Sequence, residues 1–388
     1  MAIVLGDMDL VRTLGLAGIR CAVVSAPGAT VQFSRFVDSV ITWDGDWSDA
    51  EDLADQLVTW SEAQTEPPVL FYQHDEHTLF VSRHRQRLAS VMRFTIAPAD
   101  QLETMVDKVR FYALAGLTGV SMPRTNILDP LSAFPSDLEF PIIVKPRTRA
   151  NPRWSEIEPD AKAFRVGSVE ELRTLWPLLS RFGDSLVAQQ IVSGPEDRIC
   201  SYHAYVSPEG EVLGEFTGRK IRTLPREFGH TTALEITIAP DVADAGRDVM
   251  RRLALTGVAK VDFKRGPDGK LWLLEVNPRF NLWHLAGAVA GVNLPAMVWA
   301  DLVGTRRPVA NGVRAGTRWC NVNDVRAGRE WGVPLHRWLA WFMRCEVKAS
   351  LAWDDPKPVV GRLLWVARHR RQRHDSSAVD QVPDRIPV

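Results

Sequence analysis

Residues 257–280 read GVAKVDFKRGPDGKLWLLEVNPRF, and the placing of acids, glycines and apolar residues in this stretch decides the fold. Two alternating runs flank Pro267-Asp268-Gly269-Lys270, and Asp-Gly is a preferred centre for a two-residue type I′ hairpin turn. With Pro267 facing Lys270, Asp262 falls directly opposite Glu275, and Asn277, two residues further on, shares their face. Two carboxylates opposed on one sheet face repel each other, and a cation between them removes the conflict. Magnesium suits such a place, because it takes oxygens from a few carboxylates and completes its shell with phosphate oxygens and water. Asp262, Glu275 and Asn277 are therefore the candidate metal ligands, and Arg279 adds a fixed positive charge for a phosphate or carboxylate oxygen. The plainer reading is a solvated hairpin whose acids pair with Lys260, Lys264 and Lys270. Against it, Glu275 and Asn277 interrupt an otherwise apolar run, 271–276, just before Pro278.

Upstream of the hairpin, strand and helix signals alternate. Residues 3–5, 21–24, 37–42, 69–73 and 94–97 read as β-pieces, with helical spacing over 9–17 and 50–63, so the first hundred residues predict a parallel α/β unit. The dinucleotide fingerprint G-x-G-x-x-G is absent from it. A helix is predicted over 107–117, then the apolar strand 140–145 ending in Lys145, a polar stretch over 146–159, a helix over 169–179 and a strand over 185–191. From 200 to 276 the pattern is strand-rich and antiparallel with one helix near 242–255, and a helical, Trp-rich segment follows from about 302 to 374. The fold class is thus α/β (α+β). The expected divisions are an N-terminal unit over 1–102, a small module over 103–192, a sheet-rich unit over 193–302, a basic extension over 303–374 and a disordered tail over 375–388.

The composition narrows the function. At 388 residues, 45% hydrophobic and 24% charged, the chain has ample core for two or three domains. A formal net charge of zero argues against wholesale nucleic-acid binding. The four cysteines, Cys21, Cys200, Cys320 and Cys345, form no C-x-x-C pair, which speaks against a zinc site or a disulfide framework. No run reaches the ~18 apolar residues of a membrane span, and the first residues lack the basic-then-apolar order of a signal peptide. The expected location is cytoplasmic.

The hairpin resembles the magnesium-binding hairpin of the ATP-grasp superfamily, whose acid on one strand and E-x-N-x-R on the next stand here as Asp262, Glu275, Asn277 and Arg279. The sequence after it, FNLWHLAGAVAGVNLP, is similar to the continuation in the carboxylate–amine ligase branch, which includes D-aspartate ligase-like and carbamoyl-phosphate-synthase-like enzymes. The resemblance implies an ATP-grasp fold with ATP and Mg2+ as cofactors. It matches Lys108 and Lys145 to the two ATP-binding lysines and Glu196 to the acid that binds ribose hydroxyls. Gln190 stands where an acid is frequent in the adenine-binding strand and hinge. A glycine-rich loop often follows the second lysine, whereas this chain has Pro146-Arg147-Thr148-Arg149-Ala150-Asn151.

Gly218-Arg219-Lys220-Ile221-Arg222 resembles the basic strand facing the reacting phosphate, and on a strand Lys220 and Arg222 point to one side. Phe228-Gly229-His230-Thr231-Thr232 looks like a substrate loop, and His284 and Asn281, just past the hairpin, are candidate substrate contacts. Lys264, although on the hairpin, matches no motif and is expected to matter far less than Lys145. The implied reaction activates a small-molecule carboxylate as an acyl phosphate and passes it to an amine, with Lys220, Arg222 and Arg279 serving the reacting groups. Its alternatives are an ATP-dependent carboxylase on the same site and a nucleotide-binding regulator without turnover.

The extension carries the charge asymmetry. Residues 306–374 hold 15 Lys/Arg against 5 Asp/Glu, a net charge of +10, and six of the 14 tryptophans lie between Trp319 and Trp365. Leu335, Trp338, Leu339 and Phe342 recur at helical spacing, with Arg337 and Arg344 off that stripe. We expect a helical subdomain packed on the core. The alternative is peripheral contact with an anionic membrane through this segment, helped by the basic cluster over 362–373.

Overall fold

The computed structural model describes residues 1–129, 134–135, 137–148, 154, 163–310, 312–349, 351–363 and 365. Much of the polar stretch after Lys145, most of the basic cluster over 362–373 and the expected tail over 375–388 lie outside the described residues.

The apolar runs near the N-terminus form a parallel four-stranded sheet: β1 (Ala2–Leu5), β2 (Cys21–Ser25), β3 (Val37–Thr42) and β4 (Val69–Tyr72), in the order β3-β2-β1-β4. β1 is buried throughout, as expected for a central strand covered on both faces, and β4 is buried as well although it lies at the sheet edge. Residues 94–97, expected as a further β-piece, follow an isolated bridge between Arg93 and Val69 and are not a strand. Three helices there were not foreseen: Asp75–Arg83, Arg85–Ala89 and Ala99–Val106. The helix Lys108–Leu117 begins behind Asp107, whose carboxylate accepts from the backbone N–H of Val109 and Arg110.

A second, four-stranded sheet follows: β5 (Thr125–Leu128), β6 (Ile142–Pro146), β7 (Phe164–Val166) and β8 (Leu186–Gln190), ordered β5-β8-β6-β7 and antiparallel, with the helix Val169–Ser180. The third sheet has seven strands: β9 (Ile199–Val206), β10 (Val212–Leu224), β11 (His230–Thr237), β12 (Gly257–Arg265), β13 (Leu271–Asn277), β14 (Arg318–Cys320) and β15 (Val347–Lys348). Their order is β13-β12-β9-β10-β11-β14-β15. One face packs on the helix Pro240–Arg252, where a Cβ on Gly246 would come within 2.2 Å of the Tyr202 ring, so only glycine allows that approach. The other face packs on the helices Trp283–Val289 and Leu294–Val303 at one end and opens toward the second sheet at the other.

The extension differs from the all-helical expectation, since it first adds β14 and β15 to the sheet edge. Its helix Leu335–Met343 splits the expected stripe. Trp338, Trp341 and Phe342 are half-buried toward the sheet, whereas Leu335, Leu339 and Met343 are exposed. The inner side fits the packed subdomain, and the outer side leaves an apolar row beside the exposed Arg337 and Arg344. Among the described residues no single helix is long and apolar enough to cross a membrane.

The extension also reaches the N-terminal unit. Arg12 pairs with Asp355 at 3.4 Å and donates to the Ala349 carbonyl at 2.6 Å, and Trp319 Nε1 donates to Asp9 Oδ1 at 2.7 Å. Burial raises the Asp9 carboxyl to about 7, against the lowering effect of the Trp319 bond. A carboxyl raised on folding contributes stability below its unfolded value near ~4 that is lost as pH climbs toward 7. Asp9→Asn keeps an oxygen for Trp319 and removes the charge. Its melting temperature is expected to gain on the wild type between pH 5 and pH 8, and parallel melting profiles would refute the assignment.

Candidate active site

The second and third sheets face each other across a cleft that is open to solvent at its mouth. Lys108, Lys145, Gln189, Gln190 and Glu196 line it from the helix, the second sheet and the hinge after β8. Lys220, Asp262, Lys264 and Glu275 line it from the third sheet. A smaller annex behind Lys145 and Glu275 reaches Asp75 and Asn277.

The floor is the hairpin. Asp262 stands opposite Glu275 and Lys260 opposite Asn277, which is the register the sequence implied. The turn is different: Gly266 N–H donates to the Lys270 carbonyl, and Gly269, at φ 84°, closes a three-residue loop instead of two. The pairing then slips by one between Asp262 and Phe263, leaving Leu274 as a bulge. The extra turn residue and the bulge cancel, and the acids stay in register.

Asp262 is buried, and each of its oxygens accepts one close bond and keeps a second lone pair. Its Oδ1 accepts from Ser201 Oγ, its Oδ2 from Lys260 Nζ at 2.6 Å, and Lys220 Nζ lies 4.0 Å from Oδ2. Burial draws the Lys260 ammonium below its usual value, against the raising effect of Asp262 and Glu275. Two opposed carboxylates with acceptor capacity left suit a hard cation, which would share Asp262 with the Lys260 ammonium. Among the described residues no cluster of three His, Cys, Asp or Glu gathers, so such an ion would depend on phosphate and water for its remaining ligands. Asn277 turns Nδ2 toward Glu275 Oε1 at 3.2 Å and Oδ1 toward Arg279 at 3.3 Å. To serve as a ligand its amide would have to turn over.

Arg279 joins the hairpin to the N-terminal unit, through Asp75 Oδ1 at 2.5 Å and the Gln73 carbonyl at 2.7 Å. Lys145 Nζ donates to Tyr112 Oη at 2.6 Å and Gln189 Oε1 at 3.0 Å. Arg147, the first arginine of the stretch where a glycine-rich loop is usual, pairs with Asp107 at 2.6 Å.

Several expectations are corrected by the geometry. Lys264 is not a solvated hairpin lysine: it is buried, lines the cleft and pairs with Glu196 at 3.2 Å. Lys260 is likewise buried. Arg222 does not join Lys220 at the cleft. Pairing of β10 with β11 is irregular from Lys220 to Thr223, and Arg222 is buried against Asp324, with bonds of 2.9 and 2.5 Å, its guanidinium over the Trp341 ring. His284 is wholly buried among Phe280, Phe216 and His203, and burial, helped by Arg279, lowers it to about 3, so it stays neutral. Its neighbour Asn281 is buried too. In the expected substrate loop, Phe228 and Gly229 line the cleft, while His230 is exposed at the start of β11. Phe228 has φ 55°, and a Cβ on Gly229 would lie 2.0 Å from the Pro225 carbonyl oxygen, so the glycine is required there.

Sequence reasoning missed Gln189, Tyr112 and Ser201. Gln189 had a signal: once β6 and β8 are taken as antiparallel with Lys145 opposite Val187, residue 189 shares the Lys145 face and Gln190 does not.

The second and third sheets thus face each other over lysines and a pair of opposed carboxylates. The chain resembles the ATP-grasp superfamily in both sequence and fold. Residues 211–325 match the family described as "ATP-grasp in the biosynthetic pathway with Ter operon". The chain is 22% identical over 240 residues to D-aspartate ligase of Enterococcus faecium, covering 59% of this chain and 57% of that protein. It is 27% identical over 221 residues to D-alanine–D-alanine ligase B of Pseudomonas syringae, covering 53% and 65%. The chain therefore spans about three fifths of the length of these curated relatives. Among solved structures it resembles an L-amino acid ligase from Bacillus licheniformis, with TM-score 0.60, 15% identity and coverage of 82% and 77%. It resembles equally the biotin carboxylase domain of 2-oxoglutarate carboxylase from Hydrogenobacter thermophilus, solved with MgADP and bicarbonate, with TM-score 0.60, 15% identity and coverage of 82% and 72%.

Proposed function

We propose that the protein is an ATP- and Mg2+-dependent carboxylate–amine ligase that forms an amide bond through an acyl phosphate. The observation that carries this is the opposition of Asp262 and Glu275 on the cleft floor, beneath Lys145 and Lys108. Glu196, held by Lys264 in the hinge, suits ribose hydroxyls, and the apolar Ile143, Ile191 and Val192 suit the base. Asp262 and Glu275 would hold Mg2+, which supplies charge neutralisation at the phosphate oxygens. Lys145 and Lys108 offset the charge that accumulates as a substrate carboxylate attacks the γ-phosphate. Lys220, in the cleft wall beside Asp262, is placed to stabilise the acyl phosphate until an amine displaces phosphate. No side-chain nucleophile is required. Phe228 and Gly229 close one side of the cleft and help keep water from the mixed anhydride.

The sequence relatives join amino acids, which favours an amino acid or small amine as acceptor. The fold is shared with a carboxylase, so the assay must separate the two. Phosphate release from Mg-ATP is expected to require both a carboxylate and an amine from pools of each. Release that needs only bicarbonate would favour the carboxylase, and none under any combination would leave a nucleotide-binding protein without turnover.

A further inference from the structure

We propose that Tyr112 is a positioning residue for Lys145, and that it couples the phosphate lysine of the second sheet to the metal-binding hairpin of the third. The inference deepens the nucleotide reading of the cleft and rests on it. Tyr112 lies one turn into the helix Lys108–Leu117, with its side chain buried. Its hydroxyl has one proton and two lone pairs. The proton goes to the nearer of two acceptors, the Leu274 carbonyl at 2.9 Å against Gln189 Oε1 at 3.4 Å, and a lone pair accepts from Lys145 Nζ at 2.6 Å. The ammonium also sits 4.9 Å from the centre of the Tyr112 ring.

Leu274 is the bulge residue of β13, outside the regular pairing with β12 and immediately before Glu275. The bulge that keeps Glu275 opposite Asp262 thus presents a carbonyl to Tyr112, and Tyr112 in turn fixes Lys145. Gln189 completes the arrangement: its Nε2 donates to Thr125 Oγ1 at 3.0 Å, which aims its Oε1 at the same ammonium. Burial raises the Tyr112 phenol, so the hydroxyl keeps its proton at physiological pH. A bond of this kind between an ammonium and a neutral hydroxyl on a bulge carbonyl ties the two sides of the cleft to one relative position.

Phenylalanine at 112 keeps the ring packing and removes only the hydroxyl. Tyr112→Phe, Lys145→Met and the double variant are compared with the wild type by calorimetric titration with ADP, with Mg2+ present and with EDTA. Tyr112→Phe is expected to weaken Mg-ADP binding about tenfold, as for loss of a charged hydrogen bond, and to weaken it less in EDTA. In the Lys145→Met background the same change should cost under about twofold, because the partner is gone. An equal loss in both backgrounds would mark Tyr112 as merely structural and overturn the proposal, as would wild-type affinity in Tyr112→Phe. A wild type that binds no ADP would overturn the nucleotide reading itself.

Discussion

Glu275→Ala is expected to lower Mg-ATP turnover by about 10²–10³-fold while moving the melting temperature little. Glu275 is partly exposed to the cleft. Its removal leaves the buried Lys260 ammonium still bonded to Asp262, and most of the loss falls on whatever cation and phosphates the carboxylates hold. Asp262 makes the contrast. It is buried with Lys260 and Ser201 bonded to it, so Asp262→Ala would strand a buried ammonium and lose stability as well as activity. Turnover measured at saturating Mg2+, with thermal melts alongside, separates the two. Wild-type turnover in Glu275→Ala would remove the hairpin from the chemistry.

Arg222→Ala is expected to unfold the protein more readily by about 3–5 kcal/mol, the usual result of breaking a buried ion pair from one side. Asp324 would keep its charge at zero exposure, with Thr232 Oγ1 and Trp338 Nε1 left to donate to it among the described residues. The uncharged pair Arg222→Met with Asp324→Leu should regain part of the loss, because no charge is then left buried. Urea unfolding of the three proteins measures this. A stable Arg222→Ala with impaired turnover would return Arg222 to the reaction and refute the structural role given to it.

The opposition of Asp262 and Glu275 was legible because strand alternation carries faces across a turn. Asp262 and Glu275 would have been misaligned by either the longer turn or the Leu274 bulge alone, and the two offsets cancel. The order of sheets followed from apolar runs broken by glycine and proline. What local pattern could not carry was long-range neutralisation. The partner of Arg222 lies 102 residues away and that of Lys264 lies 68 residues away, so neither burial was visible from the surrounding residues. Gln189 and Gln190 are adjacent and chemically identical, and only strand register separates the one facing Lys145 from its exposed neighbour. Tyr112 sits on a helix whose apolar face gave no reason to single out its hydroxyl. The short edge strands of the extension fell within a Trp- and Arg-rich segment that reads as helix throughout.

Those two edge strands have a consequence for the boundary of the folding unit. β14 pairs with β11 along Ala233, Leu234 and Glu235, and β15 pairs with β14. Without them, an eight-residue strand carrying Leu234 and Ile236 would offer its amides and carbonyls to any neighbouring molecule. Trp319, which fills the space above Asp9, would go with them. The smallest part of this chain that should stay dispersed in water therefore runs past the hairpin and past residue 302, through residue 348. A fragment trimmed to the nucleotide cleft alone would keep every lysine and carboxylate of the site and still present a sticky seam.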